Sequence, residues 1–180
     1  MEKCIACGKC GKVCPANCFE IIVEGGDAGP AEPEPVSEEE AEERALAAKL
    51  AEYSGVWVFV EQSRGQVHPV SWELLGEARK LADDLGSKLG AIVLGHNVDD
   101  VVRQSGEFGA DQAFVMDSQV LADYRTDPYA AGVIQLIEKH KPEIVLMGAT
   151  TMGRDLAGAI ATDLHTGLTA DCTGLAIDPA

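Results

Sequence analysis

From Val56 onward, short apolar runs alternate with longer segments in which apolar residues recur three or four positions apart. Val56-Trp-Val-Phe-Val60 is continuous and rich in β-formers, the pattern of a strand buried on both faces. Leu74, Leu75, Ala78, Leu81, Ala82, Leu85 and Leu89 follow at helical spacing, then Ala91-Ile-Val-Leu94 as a second strand. A helix is expected over Asp99 to Phe108, a third strand over Gln112 to Met116 and a fourth over Ile144 to Met147. Asp127-Pro128 predicts a helix start, with a capping residue before a proline at the first helical position. Strands separated by helical segments require crossover connections. The expected fold is therefore α/β, a Rossmann-like parallel sheet with helices on both faces, in three layers.

The first third of the chain has a different texture. Phe19-Glu-Ile-Ile-Val23 reads as one short strand beside a cysteine-rich loop. Gly25 to Pro35 is rich in glycine, proline and acid and lacks large apolar residues, which marks an exposed linker. Ser37, with Glu40 three positions on, forms a capping box, and Glu38 and Glu39 suit the helix dipole, so a helix should run to about Tyr53 with only a thin apolar stripe. The expected organisation is a small module over residues 1–24, a linker over 25–36, a connecting helix over 37–54 and an α/β body over 55–180.

Charge narrows the function. Fourteen basic against thirty acidic residues give a formal net charge of −16, which repels phosphate backbones and argues against nucleic-acid binding. No apolar stretch approaches the roughly 20 residues that span a bilayer, and the opening Met-Glu-Lys-Cys lacks the pattern of a signal peptide. The expected location is cytoplasmic, without membrane insertion. Five of the six cysteines fall within the first eighteen residues, which fits metal ligation in a reducing compartment better than a disulfide framework.

Those cysteines carry the most specific signal in the chain. Cys4, Cys7, Cys10 and Cys14, followed by Pro15, form a C-x2-C-x2-C-x3-C-P run, the bacterial ferredoxin spacing, in which one tight loop aims thiolates at an iron–sulfur cube. Structural zinc more often joins two separated C-x2-C halves or recruits histidine, and no histidine precedes His68. In two-cluster ferredoxins the cysteine before proline ligates the other cluster, and this chain has no second run. The fourth ligand of a single [4Fe–4S] cluster is thus Cys14 or Cys18, with Cys14 favoured; Cys172 is very distant in sequence.

In an open parallel sheet, ligands sit beyond the carboxyl ends of the strands. The segments expected there are Gln62-Ser-Arg-Gly65, Gly95-His-Asn97 and Gly148-Ala-Thr-Thr-Met-Gly153. The last is shaped like a strand-to-helix phosphate loop, but it lacks the Lys-Ser/Thr ending of a P-loop and carries Asp155 in the first helical turn. A tight structural turn is the better reading. His68, His96, His140 and His165 occur singly at element ends and read as surface or core residues.

Thr150-Thr-Met-Gly-Arg-Asp-Leu-Ala157, continued by Ala161-Thr-Asp-Leu-His-Thr-Gly-Leu-Thr-Ala-Asp-Cys-Thr173, closely resembles the alpha subunit of electron transfer flavoproteins. Val56-Trp-Val-Phe-Val-Glu-Gln62 is similar to that family's first strand, and Ser71 to Ala82 to its first long helix. The resemblance covers roughly Val56 to Ile177. It implies an adenine nucleotide alpha hydrolase-like fold, a beta subunit as partner in a heterodimer and a flavin-dependent dehydrogenase as redox partner. The ferredoxin-like extension resembles a subgroup of anaerobic, often electron-bifurcating systems. Family alpha subunits continue into a separate FAD-binding domain, and nothing here resembles its flavin-contacting motifs, so no FAD residue is carried over; the chain reads as a fragment or one half of a split subunit. The resemblance also makes the Thr150 to Arg154 loop structural or interfacial, with Arg154 and Asp155 as a local ion pair or helix-start contact. The leading expectation is an electron carrier without catalysis of its own. The alternative is a nucleotide-binding α/β enzyme with an iron–sulfur sensor module, and a third reading is a structural fragment with a degenerate cluster site.

Overall fold

The structure is a computed structural model that describes residue 46 and residues 48–178. The cysteine run, the strand at Phe19 to Val23 and the linker lie outside the described residues. Of the connecting helix, residues 46 and 48–50 are helical, and a turn at 51–52 follows. Leu46 and Leu50 are exposed, in keeping with the thin stripe.

Four strands form one parallel sheet: β1 (Val56–Phe59), β4 (Leu89–Gly95), β5 (Gln112–Asp117) and β6 (Ile144–Leu146), in the order β5-β4-β1-β6. Between β1 and the first helix, β2 (Gln62–Ser63) and β3 (Gln66–Val67) pair as a small antiparallel hairpin. Its turn places Arg64 at φ 50° and Gly65 at φ 82°. The segment expected as a plain ligand loop is therefore a hairpin. Two consecutive positive φ angles suit the right-handed twist of the flanking strands.

Helices α1 (Val70–Asp84) and α2 (Asp99–Glu107) cover one face, and α3 (Thr126–His140) and α4 (Thr151–Asp163) cover the other. Strand parity decides which residues meet which helices. Val56, Val58 and Leu89 pack with Leu75, Ala78 and Leu81 of α1, and Val60, Ala91 and Val93 with Val101 of α2. Trp57, Phe59, Ile92 and Leu94 point the other way, into a cluster with Tyr129, Val133, Leu156 and Ile160. Every residue of β1 and β4 is buried. Both layers on the central strands are closed, as continuous apolar runs require.

Two expected boundaries move. The periodicity from Leu74 does not carry through to Leu89, because α1 ends at Asp84, Gly86 takes φ 61°, and Leu89 opens β4. Helix α3 begins at Thr126 with Arg125 at its N-cap, so Asp127 and Pro128 stand inside the first turn. No side-chain hydrogen bond caps that helix, and the Thr126 hydroxyl is directed to Asp155 of α4.

Candidate functional site

The strand order places the topological switch point between β1 and β6, where connections leave on opposite faces and ligands of such sheets ordinarily bind. Here the protein fills that point with its own polar groups. The two residues after Val60, Glu61 and Gln62, are both buried. The Glu61 N–H donates to Ser71 Oγ at 2.9 Å, tying the end of β1 to the first turn of α1. Its carboxylate accepts from Thr150 Oγ1 at 2.5 Å, and the same hydroxyl oxygen accepts the Gly153 N–H at 2.9 Å as the N-cap of α4. Gln62 Nε2 donates to the Leu94 carbonyl at 2.8 Å, and its Oε1 accepts the Gly65 N–H at 2.9 Å, closing the hairpin over β4.

This arrangement decides what the Gly148 to Gly153 loop can do. A helix N-terminus favours an anion. The anion already present is the Glu61 carboxylate, bound through the capping hydroxyl. A phosphate placed there would meet a buried like charge and a donor set already in use. The two glycines meet because the turn folds flat: a Cβ on Gly153 would lie 3.0 Å from the Gly148 carbonyl carbon, closer still to its oxygen. The loop is a packed structural turn. The sequence singled out Thr150 and Gly153, and the segment that begins at Gln62, but gave no role to Glu61. The available signal was two polar residues directly after a strand buried on both faces.

At the neighbouring strand end, Asp117 of β5 reaches across to the β4–α2 turn. Its carboxylate accepts the Val98 and Asn97 N–H groups at 3.1 Å each and pairs with His96 Nδ1 at 3.3 Å. Those backbone donors, with His96, hold its carboxyl below the usual range. His68 Nδ1 accepts the Val70 N–H at 3.3 Å, and His140 packs against the Phe114 and Trp57 rings. Each of these three histidines has a structural neighbour.

Arg154 and Asp155 do not pair with one another, but the expected helix-start contact is present: Arg154 Nε donates to the Ala149 carbonyl at 3.2 Å. Arg154 reaches Asp171 with Nη1 at 3.2 Å and Nη2 closer, while Asp155 accepts from Thr126 Oγ1 and Tyr124 Oη at 2.6 Å each. Adjacent helical residues point about 100° apart, so each finds a separate partner. The two hydroxyls lower the Asp155 carboxyl, and burial, with Asp155 beside it, pushes the Tyr124 phenol up to about 12. A groove of about 570 Å³ lies along α3 and α4, lined by Thr126, Asp127, Asp155, Gly158, Thr162 and Asp163. Its three carboxylates make it a poor seat for a pyrophosphate.

Of the residues expected to bind a metal, Cys4, Cys7, Cys10 and Cys14 lie outside the described residues, as does Cys18. Cys172 is exposed. Among the described residues no group of three or more His, Cys, Asp or Glu side chains could hold a metal ion, and no helix is long and apolar enough to cross a membrane.

Comparison with known proteins supplies what the site geometry leaves open. The chain is 50% identical over 141 residues to Protein FixB of Azorhizobium caulinodans, covering 77% of this chain and 38% of that protein. It is 50% identical over 129 residues to the electron transfer flavoprotein subunit alpha of Thermoanaerobacterium thermosaccharolyticum, covering 72% of this chain and 39% of the relative. To the acryloyl-CoA reductase electron transfer subunit beta of Anaerotignum propionicum it is 46% identical over 132 residues, covering 73% and 36%. The chain thus spans about two fifths of the length of these relatives. Residues 56–180 match the electron transfer flavoprotein domain, the whole of the sheet and its four helices included, and the chain belongs to that family.

Proposed function

We propose that this chain is an electron-carrying subunit that passes electrons between a [4Fe–4S] cluster and the flavins of an electron transfer flavoprotein alpha/beta complex linked to dehydrogenases. The observation that carries the reading is a ferredoxin-spaced cysteine run joined to a body of this family. The donor set fits the group: Cys4, Cys7, Cys10 and Cys14 would supply four thiolates within eleven residues, and Gly8 and Gly11 would leave room for backbone N–H groups near the sulfides. When bound, such a cluster supplies reversible one-electron storage.

The Glu61–Thr150–Gly153 network closes the place where a related α/β sheet would admit a nucleotide, which favours a carrier over the nucleotide-binding enzyme. Residues 55–180 are assigned no FAD contact; in this reading the flavins are held by other parts of the complex, with a beta subunit as partner and the cytoplasm as location.

Anaerobic reconstitution followed by iron and sulfide analysis and electron paramagnetic resonance tests the cluster. About four irons and four sulfides per chain are expected, and Cys7→Ala should abolish the signal. One zinc without sulfide would remove the reading. Co-expression with a family beta subunit should give a stable heterodimer, and failure of the two to co-purify would overturn the partner assignment.

A further inference from the structure

The segment 165–178 forms no helix or strand, yet it is tied to the body at two points. The Thr166 N–H closes α4 by donating to the Ala161 carbonyl; beyond it, among the described residues, no backbone hydrogen bond joins 167–178 to the rest of the body. Side chains stand in their place. Arg154, in the first turn of α4, forks onto Asp171 with Nη1 and Nη2 while its Nε holds the Ala149 carbonyl. Further on, Ile177 packs with Ile144, Leu146 and Leu75 in the cluster on the α1 side of the sheet.

These two attachments fix the path. Helix α4 ends at Asp163, about 14 Å along the axis from Arg154 at 1.5 Å per residue. From Leu164 to Asp171 the chain can span about 23 Å when extended, enough to double back along α4 with slack for left-handed residues at His165 (φ 52°) and Asp171 (φ 55°). Helix α4 covers the face of Trp57 and Phe59, whereas Ile177 lies on the opposite face. Between Asp171 and Ile177 the chain therefore passes β6, the last strand of the described sheet on that side.

We propose that 165–178 is a strap with a clasp: the Arg154–Asp171 ion pair holds it closed past β6, and it opens as a local unit when that pair is broken, the body staying folded. The clasp is suited to release. Its side chains are 56% and 61% exposed, so salt screens the pair. Asp171 is held in a conformation that residues other than glycine seldom adopt, and opening lets it relax. No strand pairing is lost, because the strap contributes nothing to the sheet ladder. The bond from Arg154 to Ala149 anchors the clasp on the turn that carries Thr150, and that anchor stays when the strap leaves.

Leu168 and Leu175, 53% and 43% exposed, flank the clasp and give chymotrypsin a site on either side of it. Digestion of the full chain, purified anaerobically, with each cut followed by mass spectrometry, tests the proposal; a synthetic peptide of residues 165–178 gives the rate of an open strap at each salt concentration. Wild-type cleavage at both sites should be slower than in the peptide and should rise with salt relative to it. Asp171→Asn removes the charge but keeps a residue that tolerates the left-handed conformation; it should speed cleavage about threefold and remove the salt response. Arg154→Ala should do the same, and the double variant should add nothing further, since each change breaks one shared pair. Ile177→Ala should speed the cut after Leu175 yet keep the salt response, because the clasp is intact. The circular dichroism of the uncut variants should match wild type. Wild-type cleavage at the peptide's rate, an equal salt response in wild type and Asp171→Asn, additive effects in the double variant, or loss of the body's circular dichroism in Asp171→Asn would overturn the proposal.

Discussion

Replacing Thr150 by alanine removes two bonds made by one oxygen. The hydroxyl caps α4 by accepting the Gly153 N–H, and losing such a cap costs about 1 kcal/mol. It also donates to the Glu61 carboxylate, whose residue is only 8% exposed, and a hydrogen bond to a charged group contributes about 1.5–3 kcal/mol. Together the loss should be about 3 kcal/mol, which for a chain of this size lowers Tm by roughly 6–12 °C. Urea unfolding of the full chain followed by circular dichroism reads it directly. Thr150→Ser keeps the hydroxyl and should fall within about 1 kcal/mol of wild type. Combining Thr150→Ala with Glu61→Gln should cost at least about 1 kcal/mol less than the sum of the single changes, because the two share one bond. If Thr150→Ala costs less than about 0.5 kcal/mol, or if the serine variant is as weak as the alanine one, the hydroxyl does not hold this turn and the account of the switch point fails. Wild-type Tm should also be indifferent to magnesium ATP, since a nucleotide bound at a hundred times its Kd would add about 2.7 kcal/mol.

Gly153→Ala drives a methyl group into the Gly148 carbonyl and should cost about 3 kcal/mol by the same unfolding assay. Asp111, held by the Leu89 N–H and Arg79, Asp117, held by the Val98 and Asn97 N–H groups, and Asp155, held by two hydroxyls, all have folded carboxyl pKa values below the unfolded one. Their stabilisation is therefore present above the unfolded value of about 3.9 and is lost as pH falls through the folded values, so Tm should drop from about pH 5 to about pH 3, with a shallower fall in Asp155→Asn; a profile flat in acid would refute the assignment. Comparing Cys14→Ala with Cys18→Ala in reconstituted protein identifies the fourth ligand: loss of the four-iron signal in Cys14→Ala and its retention in Cys18→Ala is the expected result, and the reverse would move the ligand to Cys18.

The layered architecture was readable because β1 and β4 are apolar at every position, a pattern that parallel strands under two helical layers require. Leu89 was misplaced for a local reason. It lies four residues beyond Leu85 and fits the helical template, while the break is made by Gly86 in a left-handed conformation. The partners of Arg154 and Asp155 were not legible, since Asp171 is 17 residues away and Tyr124 and Thr126 are 31 and 29 away. Nothing in spacing alone connects them. The site was half visible: its loop was marked by Gly148, Thr150 and Gly153, but the carboxylate that fills it comes from a different strand.

Gly90 has no side chain to stand between β1 and β5. A Cβ there would lie 2.7 Å from the Trp57 ring and 2.9 Å from the Phe114 ring, and in the gap those two rings stack across the intervening strand with centroids 3.9 Å apart. An outer strand paired on one side is ordinarily the first part of a sheet to open. Here detaching β5 would also pull an aromatic ring off the indole at the centre of the core. The edge strand and the central strand should then open as a single cooperative unit, which keeps β5 ordered although, among the described residues, it pairs with β4 alone.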